Sequence, residues 1–178
     1  MQKDLKNNTC FNKDKKMSSK HIMSSFEKHD HSICINRYKA SIEKYCYQNN
    51  LKLTSLRQKV FEILIRDHKP LGAYEIIDAL SKEGFSSSPP IAYRVLDFLI
   101  EKGLVHKIQG LNSFIACAYA GCAHIPAFAI CRKCDNVAEI RGEENIPKAS
   151  SSSLDFKIEN EMIEISGVCS MCSDAGVA

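Results

Sequence analysis

Two Cys-x-x-Cys pairs dominate the chemistry that this 178-residue chain could perform: Cys131 and Cys134 in "CRKC", and Cys169 and Cys172 in "CSMC". A two-residue gap lets both thiolates of one turn face one ion, and two such turns complete a tetrahedral four-sulfur shell. Zn²⁺ accepts that shell because it imposes no geometric preference of its own. The 34 residues between the pairs exceed the usual zinc-ribbon spacing, so intervening elements must bring them together. A thioredoxin-like reading needs a single pair opening a helix after a strand. Here both pairs are flanked by strand-like sequence, which favours structural zinc over redox work.

A second set lies nearby. His106, Cys117, Cys122 and His124 fall within nineteen residues, and Glu139 lies five past Cys134. Taken singly, His106 could be a surface residue of a hairpin, Cys117 a core thiol and Glu139 a solvated strand charge. Together they supply nitrogen, sulfur and oxygen donors for a second ion, a mixture that suits Zn²⁺ and also fits cobalt. His106 precedes a boundary near Gly110 and the others follow it. An ion here would set the angle between two parts of the chain, the outline of a metal-controlled switch.

The elements that must position these residues divide at that boundary. Residues 1–34 are Lys-, Asn- and Ser-rich without periodicity and are expected to be a weakly ordered or disordered extension, with Cys10 and Cys34 incidental. From Asn36, Tyr38, Ile42, Tyr45 and Cys46 recur at helical spacing. A second helix is predicted after Thr54 or Ser55, with Leu56, Val60, Phe61, Leu64 and Ile65 as its apolar stripe and Pro70 and Gly72 as its stop. A third carries Ile76, Ile77 and Leu80 inward and ends at Gly84; a fourth runs from Ser88 to Gly103 on Ile91, Val95, Leu96, Phe98 and Leu99. "LVHKIQGLNSFIAC" reads as a β-hairpin turning at Gly110–Asn112. Helices followed by a hairpin outline a winged helix-turn-helix whose last helix enters the DNA major groove, presenting Tyr93 and Arg94. Beyond residue 110, short strand-like runs surround "EENIPKASSSS", which could hold one helix. The expected fold is therefore α+β: a winged-helix domain over 35–110 and a small α/β zinc-binding domain over 111–178.

Charge agrees with this division. Residues 1–110 carry 19 Lys and Arg against 12 Asp and Glu, and residues 111–178 carry 5 against 9. Only the front half is suited to a polyanion. The N-terminus has no apolar signal region, and the most apolar run, Phe114 to Cys131, is interrupted by Gly121, His124 and Pro126. A cytoplasmic protein is expected, in which nine cysteines point to metal or redox chemistry rather than a disulfide framework.

In order along the chain, "LTSLRQKVFEIL", "AYEIIDAL", "PPIAYRVLDFLIEKGLVHKI", "NSFIAC", "FAICRKC" and "GVCSMC" resemble the ferric uptake regulator superfamily and, within it, the zinc uptake regulator branch. The resemblance runs from about Arg37 to Cys172. It implies structural zinc on Cys131, Cys134, Cys169 and Cys172, and regulatory zinc on His106, Cys117, His124 and Glu139, with two zinc ions per chain. It also implies DNA contacts by Tyr74, placed before the third helix, and by Arg94. The implied protein is a homodimer joined through its C-terminal domain that represses metal-uptake genes when loaded. Four departures bear on this. "YAGCAHIPAFAIC" has one His where iron- and peroxide-sensing branches have a His-rich run with an Asp. Thr-Val before the recognition-helix Tyr is replaced by Ile-Ala. Cys122 is an extra thiol that could take the place of Glu139. The family's His- and Cys-rich tail is missing after "SDAGVA", so no third metal site is expected. The reading is thus a zinc-responsive, non-enzymatic repressor binding double-stranded operator DNA, without a membrane. A regulator of the same superfamily sensing another metal or peroxide is the alternative, and a thiol oxidoreductase the remote one.

Overall fold

The computed structural model describes Phe26 and residues 29–85, 88–121, 124–141 and 161–173. Helix α1 spans His31–Gln48 and is capped by Asp30, whose carboxylate accepts the Ser32 N–H at 2.9 Å. It begins inside the stretch expected to be extension, because Asp30 satisfies a first-turn donor and Cys34 is buried. Helix α2, Ser55–Leu64, starts at Thr54, which accepts the Arg57 N–H at 3.4 Å. It stops well before Pro70 and Gly72. The cause is tertiary: after Ile65 the chain bends so that Leu71 can exchange two backbone hydrogen bonds with Phe114, at 2.9 and 2.8 Å.

Helix α3, Ala73–Lys82, opens on Gly72, whose N–H is accepted by Glu75 at 2.7 Å. Gly84 follows its end at φ +78°, a conformation that costs other residues strain. Tyr74 is therefore the second residue of α3, not a residue preceding it. Helix α4, Pro89–Glu101, has proline in its first turn, and Ser88 holds the cap position without a side-chain capping bond. Ile91, expected inward, is 44% exposed, and Ala92 is buried in its place. Strands β1 (Val105–Ile108) and β2 (Ser113–Ala116) form an antiparallel hairpin with His106 opposite Ile115.

This hairpin serves two cores. Strand side chains alternate between faces, and Val105, Phe114 and Ala116 join a cluster with Val60, Phe61, Ile76, Leu80, Leu96 and Leu99 of α2, α3 and α4. Ile108 and Ile115 face the other way and pack with Phe128, Ile130 and Val137. All four β2 residues are consequently buried. The two halves of the chain meet across the hairpin itself.

The second layer is a three-stranded sheet ordered β4-β3-β5. Central β3 (Pro126–Cys131) pairs antiparallel with β4 (Val137–Arg141) and parallel with β5 (Ile163–Gly167). A four-residue helix, α5 (Ser170–Ser173), follows. Glu164 on β5 reaches the hairpin turn, accepting the N–H groups of Gln109 at 2.6 Å and Gly110 at 2.9 Å. A Cβ on Gly110 would lie 2.9 Å from that carboxylate, so a larger residue there would push the Glu164 side chain aside. The helix expected in "EENIPKASSSS" lies outside the described residues. Among the described residues no helix is long and apolar enough to cross a membrane.

Candidate metal centres and a DNA-facing helix

The two Cys-x-x-Cys pairs are brought together by the parallel pairing of β3 with β5. Cys131 ends β3, and the chain reverses through residues 132–134 with Asp135 at φ +59°. The turn is closed by Asp135 N–H to the Cys131 carbonyl at 2.9 Å and by Cys131 N–H to the Asn136 carbonyl at 3.0 Å. β5 delivers Cys169 beside it, and α5 carries Cys172. The four sulfurs lie within 4.8 Å of one another, with Cys134 and Cys169 Sγ at 3.9 Å. Around tetrahedral zinc, with bonds of about 2.0–2.1 Å to nitrogen and about 2.3 Å to sulfur, ligand atoms sit about 3.3–3.8 Å apart. In this cluster the Cys134–Cys169 separation of 3.9 Å is close to that spacing, and the remaining sulfurs lie within 4.8 Å.

Its electrostatics call for a cation. The Cys169 N–H, 3.4 Å from Cys131 Sγ, lowers the Cys131 thiol to about 6. The hydrogen bond with Cys169, together with burial and the neighbouring thiols, pushes Cys172 up to about 12. The first thiol ionises easily and the last resists, because each new thiolate meets negative charge already present. A dication removes that conflict.

The second cluster gathers residues from both layers. His106 comes from the face of β1 turned toward the second core, and Glu139 from β4; Cys117 follows β2 and His124 precedes β3. Glu139 Oε1 lies 2.9 Å from His124 Nε2, 3.4 Å from His106 Nε2 and 3.8 Å from Cys117 Sγ, and Cys117 Sγ is 3.8 Å from His124 Nε2. The other carboxylate oxygen accepts the Ala118 N–H at 2.6 Å, which leaves Oε1 turned into the cluster. The Tyr119 N–H approaches Cys117 Sγ at 3.4 Å. Outer contacts of this kind orient first-sphere ligands. Burial alone would raise the Glu139 carboxyl, but the His106 and His124 imidazoles and the Ala118 N–H outweigh it and hold it at about 2. His106 Nε2 is buried and, apart from the 3.4 Å approach of Glu139 Oε1, which is not aligned as a hydrogen bond, has no partner among the described residues. Such an atom is costly unless something satisfies it. An ion bound by these four donors would do so, and the set of two imidazoles, one thiolate and one carboxylate fits zinc. Cys122, weighed as a substitute for Glu139, lies outside the described residues.

Helix α4 buries Ala92, Val95, Leu96 and Leu99 and turns Tyr93, Arg94 and Asp97 to solvent. Tyr93 is 43% exposed and Tyr74, on α3, 73%. Tyr74, Tyr93 and Arg94 thus stand on the outer faces of α3 and α4.

A third cluster was missed in the sequence. His29, His31, Cys34 and His68 also place one ligand atom each within 4.8 Å of the others. The spacing His-x-His-x-x-Cys around Asp30 could have signalled it, but its fourth member comes from the turn after α2.

The ferric uptake regulator family model matches residues 48–166. The zinc uptake regulation protein of Escherichia coli (strain K12) is 34% identical over 136 residues, spanning 75% of this chain and 80% of that protein. Among solved structures, a zinc uptake regulator complexed with zinc and DNA superposes with a TM-score of 0.72 at 30% identity, covering 85% of this chain and 100% of that one. The crystal structure of holo XcZur superposes at 0.70, also at 30% identity, covering 79% and 99%. With its family match, its helices and hairpin, and its paired cysteine turns, the chain belongs to the ferric uptake regulator family.

Proposed function

We propose that this protein is a zinc-responsive repressor that binds operator DNA as a homodimer when zinc-loaded and controls zinc-uptake genes. In this reading it works in the cytoplasm, through binding alone and without catalysis. Cys131, Cys134, Cys169 and Cys172 hold a permanent structural zinc. His106, Cys117, His124 and Glu139 hold a reversible regulatory zinc, making two ions per chain. Residues 35–110 form the DNA-binding domain and residues 111–178 the dimerisation domain, and Tyr74, Tyr93 and Arg94 face the DNA.

One observation carries the reading: His106 belongs to the hairpin that continues directly from α4, and its donor atom converges with that of Glu139 from the opposite layer. An ion there ties the hairpin, and with it α4, to the sheet bearing the four cysteines. Zinc then favours the arrangement in which two copies present both α4 helices to successive major grooves. Similarity to a zinc uptake regulation protein and to a regulator solved with zinc and DNA supports the choice of zinc.

The test is operator binding by Cys117→Ser, whose four-cysteine centre is intact. Zinc-dependent binding should be lost while zinc content falls from two ions to one at the zinc level that fills both centres. Undiminished zinc dependence would overturn the regulatory assignment.

A further inference from the structure

His29 and His31 flank the helix cap Asp30, Cys34 follows one turn later on α1, and His68 stands in the turn after α2. His31 and Cys34, three residues apart, share a helix face. His68 Nε2 is the meeting point: His29 Nε2 lies 2.9 Å away, His31 Nδ1 3.2 Å and Cys34 Sγ 3.6 Å, and His29 Nε2 is 3.1 Å from Cys34 Sγ. Three of these four separations fall between 3.1 and 3.6 Å, near the edges of a tetrahedral shell around an ion of zinc's size.

The orientation of His31 strengthens the case. Its Nε2 lies 3.1 Å from the Ile65 carbonyl oxygen, which can only accept, so Nε2 carries the proton. Nδ1 is then a lone pair directed at His68. A backbone carbonyl holding the outer nitrogen of an imidazole is the usual support of a metal-ligating histidine. Burial grades inward as well: His29 is exposed, His31 and His68 are half-buried and Cys34 is buried, so an ion could enter from solvent and finish on the thiolate.

We propose that His29, His31, Cys34 and His68 form a third metal centre, separate from the two above, that takes a zinc-class divalent ion and clasps the start of α1 to the turn after α2. It does not depend on the regulatory reading, since it shares no residue with either other centre. Its donors carry one negative charge, against two in the His106–Glu139 centre and four in the cysteine centre. Coulomb attraction therefore makes it the weakest of the three and the last to fill.

The centre also has a route to the second layer. The His68 carbonyl accepts the Val137 N–H at 3.3 Å, and Val137 opens the strand that carries Glu139. Filling the third centre fixes the residue that makes this contact.

The experiment is Co²⁺ titration of the full chain with its structural zinc retained, reading ion uptake by equilibrium dialysis and the thiolate-to-cobalt absorption. Wild type should take up two Co²⁺ per chain, Cys34→Ser one and Cys117→Ser one, with the double variant taking up none. His29→Ala alters only an exposed side chain, so the fold is kept, and should weaken the later step by at least about tenfold. Uptake of a single ion that Cys117→Ser abolishes and Cys34→Ser leaves intact would overturn the third centre alone. Uptake unaffected by Cys117→Ser but halved by Cys34→Ser would instead overturn the regulatory site and keep this one.

Discussion

Arg94 illustrates how much a single exposed side chain can be asked to do. It stands on the outer face of α4 beside Tyr93, where its planar fork can meet a guanine edge or a phosphate. Arg94→Ala should weaken operator binding by about 1–3 kcal/mol. Arg94→Lys separates the two contacts: a guanine pair is lost with the fork, whereas a phosphate contact survives in a point charge. Competition binding against operators changed one base at a time distinguishes them. Spacing singles out the two Cys-x-x-Cys pairs and, around the hairpin, the donors His106, Cys117, Cys122, His124 and Glu139. Spacing and donor chemistry point to their convergence, and the family resemblance narrows the second set to His106, Cys117, His124 and Glu139. Nothing local says that His106 faces Glu139; that follows from which face of β1 meets the second core. The cluster around His68 escaped because its members lie 34 residues apart, between Cys34 and His68, and belong to elements whose contact no periodicity reveals.

At the scale of elements, apolar periodicity located all four front helices, and capping residues located the starts of two of them, α2 and α4. The errors came where tertiary pairing overrode local signals. The end of α2 was displaced from Pro70 back to Leu64 by the Leu71–Phe114 exchange. Ile91 proved exposed because the inward face of α4 begins one residue later, at Ala92. The parallel partnership of β3 and β5 was not legible, since it depends on a crossover that local sequence does not describe. Helix α4 depends on that inward face. Leu96 is fully buried in the helix-hairpin core, and Leu96→Ala should cost about 2–5 kcal/mol in denaturant unfolding. The cysteine turns hold the ends of β3 and β5 as that core holds α4. Removing structural zinc, or replacing Cys131 by Ser, should unfold the three-stranded sheet, because a zinc centre of this kind contributes on the order of 10 kcal/mol. The hairpin core, built on α2, α3 and α4, should survive longer; far-UV circular dichroism alongside hydrogen exchange on β3 and on α4 would resolve the two events.

For the whole molecule, the hairpin is the element that both cores share, beside the His68–Val137 hydrogen bond that also joins the two layers. One face completes the helical core and the other completes the sheet core, so neither half can rotate without repacking it. Its tip has a further property. The successive N–H groups of Gln109 and Gly110 form a small concavity of positive potential, and backbone nests of this type bind phosphates. Here the Glu164 carboxylate already fills it. The Glu164 carboxylate thus occupies two amides at the hairpin tip that would otherwise be open to an anion such as a DNA phosphate. Glu164→Gln should free both amides in part and strengthen binding to DNA of any sequence. Glu164→Ala should do so fully, and in each case the gain should be largest at low salt. Discrimination between operator and random DNA should then narrow, and unchanged binding by both variants would show that the Glu164 contact only braces the hairpin tip.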